Sequence, residues 1–225
     1  MKIVLASHNA GKLAELQAMF APLGVQLLRQ SELGISEAPE PFHTFVENAL
    51  SKARHASLAS GLPALADDAG LCVDAFGGQP GVDTAYYATR FGYPKGDDHN
   101  VTALLEQMQG LTNRRAAMVS TLVAVRSAQD PEPLIAVGRV VCDITQQRMG
   151  LNGFGFDPVL WLPAFGQTFA QRHRAFEGAI VVFGFPRLAT GHAGIKEQGR
   201  IVDHGHGGEA FLQGGGIDEG LEARA

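Results

Sequence analysis

The chain opens without a long apolar run. "MKIVLAS" has too few apolar residues for a signal peptide or a membrane span, so the protein reads as cytoplasmic, with no membrane partner. A basic excess is also lacking. The 18 Lys and Arg face 23 Asp and Glu, for a net charge of -5 and a pI of about 5.9. That balance argues against a protein that grips nucleic acid by general electrostatics. It leaves room for a small polyanionic substrate, which needs only local donors and a metal. Cysteine is scarce: Cys72 and Cys142 each sit inside an apolar run and read as reduced core thiols, with no zinc spacing and no secreted disulfide framework. What is left is a composition ordinary for a globular enzyme, in 225 residues that can bury one large α/β core or two small ones.

The pattern along the chain predicts a mixed sheet flanked by helices, an α/β fold. "KIVLA" reads as a buried strand, "SHNAGK" as a polar turn, and "KLAELQAMFAPLG" as a helix with an apolar stripe that Pro22 and Gly24 end. "VQLLRQ" is a second strand and "SELGISEAPEP" an acidic loop. Thr44 and Glu47 have the spacing of a capping box before a helix that Gly61 ends. "LPALADDAGLCVDAF" places two adjacent aspartates, Asp67 and Asp68, in an apolar run and reads as strand, turn, strand. A glycine-rich loop follows over "GGQPGVDTAYYATRFGYPKGDD", then a helix through "NVTALLEQMQG". "RRAAMVSTLVAVRSA" and "PLIAVGRVVCDITQ" form a long antiparallel pair across "QDPEP". "MGLNGFGFDPVLWLP" is a glycine and aromatic turn. After about Ala170 the texture changes. Of the 28 glycines, 12 fall in residues 171–225, too many for that segment to bury a core of its own.

Three groups of residues carry chemistry. In strand, "SHNAGK", helix, the glycine and small residues let backbone N–H groups at a helix N-terminus approach an anion; Ser7 and Asn9 add side-chain donors and Lys12 a point charge. The loop lacks the spacing of a Walker A motif, and taken alone it is an ordinary β–α turn. The second group is acidic: Glu37, Glu40, Glu47, Asp67 and Asp68. Two carboxylates from separate segments facing a phosphate cradle suit a hard divalent cation and metal-assisted phosphoryl chemistry. Glu47 reads as a helix cap and Glu37 as a solvated charge, while Asp67 can serve turn amides. Asp68 has the weakest purely structural explanation, because burying a carboxylate without a partner is costly. The third group is "NGFGFDP". Its glycines allow Phe154 or Phe156 to stack on a flat ligand, and Asp157 can accept from ring or ribose donors; otherwise the rings simply fill core. Together the three describe a nucleotide site.

"SHNAGK", "TFVENALSKA", "ALADDAGL", "GGQPGV" and "GFGFDPV" occur in the order and spacing of the inosine/xanthosine triphosphate pyrophosphatase family, which residues 1–170 resemble. The resemblance implies an elongated mixed α/β fold with a cleft between two lobes, a homodimer, and Mg²⁺. It also implies hydrolysis of deaminated purine nucleoside triphosphates to monophosphate and pyrophosphate. By position, Ser7, His8, Asn9, Ala10, Gly11 and Lys12 would bind the triphosphate. Glu40 and Asp68 would hold the metal, with Asp68 the general base that Asp67 supports. Ala69, Phe154, Gly155, Phe156 and Asp157 would complete the substrate site.

Three departures stand out. Ala69 replaces the usual serine, and the arginine common where Tyr86 or Tyr87 stands is absent. The closing Ser-His-Arg motif is missing, with Arg172, His173 and Arg174 too early to be it. A reading-frame shift near residue 171, decided by the coding DNA, is the expected origin of residues 171–225. Two rival expectations follow: a nucleotide-binding relic silenced by that tail, and a phosphatase acting on a different anion through the same loop.

Overall fold

The computed structural model describes residues 1–7 and 16–171; within them, seven strands form one mixed sheet in the order β2-β1-β3-β4-β5-β6-β7. β1 (Lys2–Ala6) lies between two parallel neighbours, β2 (Gln26–Arg29) and β3 (Ala64–Val73). Val4 and Leu5, on opposite faces of it, are both fully buried, which is why "IVL" can be continuously apolar. Beyond β3 the sheet turns antiparallel through β4 (Arg115–Val125), β5 (Leu134–Ile144), β6 (Leu160–Leu162) and β7 (Gln167–Thr168). The predicted hairpin is the β4–β5 pair. Its turn is held by Asp130, which accepts the Arg126 backbone N–H at 2.8 Å and the Arg126 Nε at 2.9 Å.

Helix α1 (Phe45–Ser60) starts at Thr44, whose hydroxyl accepts the Glu47 N–H at 3.3 Å, and ends at Gly61, left-handed at φ 69°. These are the predicted ends. Ala49, Ala53 and Ala56 line the face of α1 that meets Val4, Ala6, Ala64, Ala66, Val123 and Val125. Alanine there lets the helix backbone lie close to the sheet, bringing the longer side chains beside that stripe within reach of β3. The opposite sheet face gathers Leu5, Leu27, Leu65 and Leu122 against Leu16 of the helical residues 16–20.

A third cluster forms at the other end of β3. Leu71 and Val73 pack with Tyr87, with Val101, Leu104 and Met108, and with Phe156 and Leu160. Val101 and Leu104 belong to α2 (Asp97–Gln107). Cys72 pairs with Ala117 and Cys142 with the adjacent Ala116, so the two thiols point to opposite sheet faces and cannot join. Cys142 is fully buried, and burial pushes its thiol up to about 12.

Two expectations are corrected. The stretch predicted as strand, turn, strand is the single ten-residue strand β3, in unbroken antiparallel register from Ala64 opposite Val125 to Val73 opposite Ala116. No turn is needed to separate the two aspartates, since neighbouring strand residues already face opposite sides. The predicted glycine-rich loop contains a 3₁₀ segment, Gly81–Phe91, docked on β3. Thr84 Oγ1 donates to Gly81 O at 2.5 Å and accepts the Leu71 N–H at 2.8 Å. A Cβ on Gly70 would stand 2.2 Å from Gly81 O and 2.5 Å from Thr84 Oγ1. Gly70→Ala should therefore destabilise the fold by about 2 kcal/mol, as overpacking against backbone does; urea unfolding that leaves the midpoint unchanged would refute this docking.

Candidate active site

β3 divides its paired aspartates. Asp67, opposite Leu122, shares its face with Leu65; Asp68, opposite Thr121, shares the α1 face with Ala64 and Ala66. Asp68 is 7% exposed, and α1 supplies what its burial requires. Asn48 and Lys52 lie one helical turn apart and so on one face. Asn48 Nδ2 donates to Asp68 Oδ2 and Lys52 Nζ to Asp68 Oδ1, both at 3.3 Å. Each carboxylate oxygen thus has its own donor.

The same two residues bring in the acidic loop. Lys52 Nζ is 3.2 Å from Glu40 Oε1, so one ammonium bridges two carboxylates. Asn48, 1% exposed, accepts the Phe42 N–H at 3.1 Å and donates to Phe42 O at 3.3 Å, fixing the loop just beyond Glu40. Burial alone would lower the Lys52 pKa, but Asp68, Glu40 and Asp67 outweigh it and hold the ammonium above its ordinary value. For Asp68, burial is the largest influence and raises the carboxyl; Lys52 opposes this and Glu40 adds to it. A carboxyl raised toward neutrality is a stronger proton acceptor than a solvated aspartate.

The donor set suits a hard divalent cation. Glu40 and Asp68 offer carboxylate oxygens converging on one positive group, and Glu40 stays half-exposed, with room for water and phosphate oxygens beside it. No group of three or more His, Cys, Asp or Glu side chains gathers among the described residues.

The phosphate-loop residues His8, Asn9, Ala10, Gly11 and Lys12 lie outside the described residues. So do residues 172–225, including the expected tail and Arg172, His173 and Arg174. Ser7 is described, half-buried, directly after β1. Ala6 pairs with Ala66, so the chain leaves β1 at the end toward which β3 carries Asp68, the carboxyl end of the parallel strands, where open α/β sheets place their ligands. Ala69 is half-buried, with Ser120 opposite it on β4. Glu47 is engaged with its cap, Thr44 Oγ1, at 2.6 Å.

The aromatic turn is held elsewhere along β3. Phe156, 4% exposed, lies in the Leu71 cluster, edge-on to Tyr87 at a centroid distance of 6.5 Å. Its ring fills core, whereas the Phe154 ring is 47% exposed. Asp157 Oδ2 accepts the Phe154 N–H at 3.0 Å and crowds Gly153, where a Cβ would stand 2.1 Å away; Gly153 is left-handed at φ 79°. Tyr86 carries the Lys95 ammonium 4.2 Å above its ring.

Asn48 and Lys52 are the site residues that reasoning on the sequence missed. Their spacing places them together on a helix, but the identity of the strand residue they meet depends on the α1–β3 packing.

A mixed sheet with a buried, donor-held carboxylate near the carboxyl end of its parallel strands defines an open-sheet α/β protein with a candidate site at that end. The chain belongs to the Ham1 family, whose model matches residues 3–180. The dITP/XTP pyrophosphatase of Albidiferax ferrireducens is 77% identical over 171 residues, which are 76% of this chain and 86% of that protein. That of Leptothrix cholodnii is 54% identical over 182 residues, covering 76% and 86%. Among solved structures, a HAM1 protein from Coxiella burnetii superposes with TM-score 0.76 at 37% identity, over 80% of this chain and 91% of that one. The nucleoside-triphosphatase / dITP/XTP pyrophosphatase of Mycobacterium abscessus gives 0.66 at 35%, over 80% and 93%.

Replacing Lys52 by Met removes the bridging cation and leaves Asp68 facing Glu40. The expected loss is about 2 kcal/mol at pH 7, below the value for a wholly dry pair because Lys52 keeps some water. The sign with pH follows from Asp68. Its raised pKa rises further once the ammonium is gone, so the loss is largest where Asp68 is ionised in both proteins and shrinks as pH falls through those raised values. Denaturant unfolding of both proteins at pH 7 and near pH 4 reads this directly. A loss independent of pH would mean that the ammonium does not compensate Asp68.

Proposed function

We propose that this chain hydrolyses non-standard purine nucleoside triphosphates, namely deoxyinosine, inosine and xanthosine triphosphates, to monophosphate and pyrophosphate, clearing them from the nucleotide pool. The observation that carries the proposal is the Asp68 carboxylate, buried on β3 and held by Asn48 and Lys52, in a chain 77% identical to proteins named dITP/XTP pyrophosphatase. The catalytic unit proposed is residues 1–170.

Asp68 takes the proton of the attacking water. Asn48 keeps one carboxylate oxygen turned, and Lys52 holds the other beside Glu40. Glu40 and Asp68 would hold Mg²⁺, which when bound supplies neutralisation of phosphate charge. Residues 7–12 would receive the triphosphate, Ser7 at the mouth of β1, with Ala69 beside Asp68. Phe154, Gly155, Phe156 and Asp157 shape the base and sugar pocket: Phe154 by its exposed ring, the others by holding the turn.

A cytoplasmic homodimer is part of the same proposal. No helix among the described residues is long and apolar enough to cross a membrane, and Leu134, Ile135, Val137 and Val141 of β5 are exposed apolar side chains that a second copy would cover. A monomer mass on sedimentation would remove the dimer.

Turnover of deoxyinosine triphosphate and deoxyguanosine triphosphate with Mg²⁺ and with EDTA, for the chain and its Asp68→Asn variant, tests the reaction. Expected are pyrophosphate as product, preference for deoxyinosine triphosphate, and at least a ~100-fold lower kcat in the variant and in EDTA. Orthophosphate alone, or nucleotide binding without turnover, would overturn it.

A further inference from the structure

We propose that Asp97, at the start of α2, is a positioning residue for the base pocket: its carboxylate holds the Gly155 amide and thereby fixes the turn that presents the Phe154 ring to the purine. This rests on the reading of residues 154–157 as that pocket.

The bond links residues far apart in the chain. Asp97 Oδ2 accepts the Gly155 N–H at 2.8 Å across 58 residues, a charge-assisted contact. An acidic residue in the first turn of a helix ordinarily serves that helix's own amides. Here the N-cap residue is Gly96, which has no side chain to offer, and Asp97 reaches instead to the turn.

The turn needs such a hold. Gly150, Gly153 and Gly155 all have positive φ, at 90°, 79° and 59°, so its sequence leaves the backbone freer than other residues would. Phe156 anchors one side in the core, and Asp157 ties the Phe154 amide from within. Gly155 lies between the buried ring and the half-exposed one. Its amide is the point where a bond from outside the turn sets the direction of Phe154.

A second strap runs beside the first. Arg148 Nη2 donates to Asp98 O and to Thr102 Oγ1, each at 2.8 Å, so both ends of the turn are moored to the first turns of α2. Of these two straps, the Asp97 bond is the one that reaches a residue next to the exposed ring. A site held within half an ångström depends on neighbours of this kind.

The test uses the full chain with Asp97→Ala, Asp97→Asn and, as a control at the β4–β5 turn, Glu132→Ala. Hydrogen exchange at the Gly155 amide, without nucleotide, reads the hold itself; kcat and KM for deoxyinosine triphosphate read its use. In Asp97→Ala, exchange at Gly155 should speed up at least ~10-fold and KM rise about tenfold, with kcat within about threefold of the wild type. Asp97→Asn, which keeps a neutral acceptor, should recover part of both changes, and Glu132→Ala should show neither.

Unchanged exchange at Gly155, or faster exchange with an unchanged KM, overturns the proposal. So does a fall in kcat and melting temperature together with no change in KM, the mark of a merely structural residue. If Asp97→Ala does not fold, Asp97→Asn carries the same comparison. If the wild type turns over no triphosphate, the proposed function fails by itself. The Kd for deoxyinosine triphosphate then replaces KM, and the exchange measurement stands as before.

Discussion

A carboxylate in the interior of a central strand needs donors, and the neighbourhood of Asp68 is arranged around that need. Asn48 and Lys52 satisfy one oxygen each. They can do so because α1 lies close to the sheet on a stripe of alanines, and because the Thr44 cap and Gly61 fix where the helix begins and ends. The acidic loop follows, since Asn48 grips Phe42 and Lys52 grips Glu40. Burial and the nearby Glu40 push Asp68 toward its neutral form while the ammonium resists.

β3 is the mechanical link between that centre and the aromatic turn. Its first half packs on α1; its second half enters the cluster with Tyr87, α2 and Phe156. Gly70 sits at the crossing, where the absence of a side chain lets the 3₁₀ segment settle on the strand. The apolar burial that stabilises the fold thus also sets the placement of the Asp68 carboxylate and the turn along one strand.

Much of this was legible beforehand. β1, the capped helix, the second helix and the long hairpin follow from periodicity and end signals, which act over a few residues. The strand, turn, strand reading of residues 62–76 failed because two charges inside an apolar run resemble a turn. In the sheet they are tolerable, as alternation sends them to opposite faces and α1 compensates Asp68. The two phenylalanines of "NGFGF" are equivalent on paper; packing against Tyr87 buries Phe156 and leaves Phe154 half-exposed.

By itself the sequence determined the α/β class, the element ends at Thr44, Gly24 and Gly61, and the need of Asp68 for a partner, since capping, left-handed glycine and the cost of a buried carboxylate are local properties. Tertiary structure alone decided which residues answer that cost. The Asn48 and Lys52 contacts with Asp68 depend on the distance between α1 and β3, and the Asp97 contact with Gly155 on how α2 meets the aromatic turn. Such pairings depend on how elements pack, which the spacing of residues along the chain does not encode.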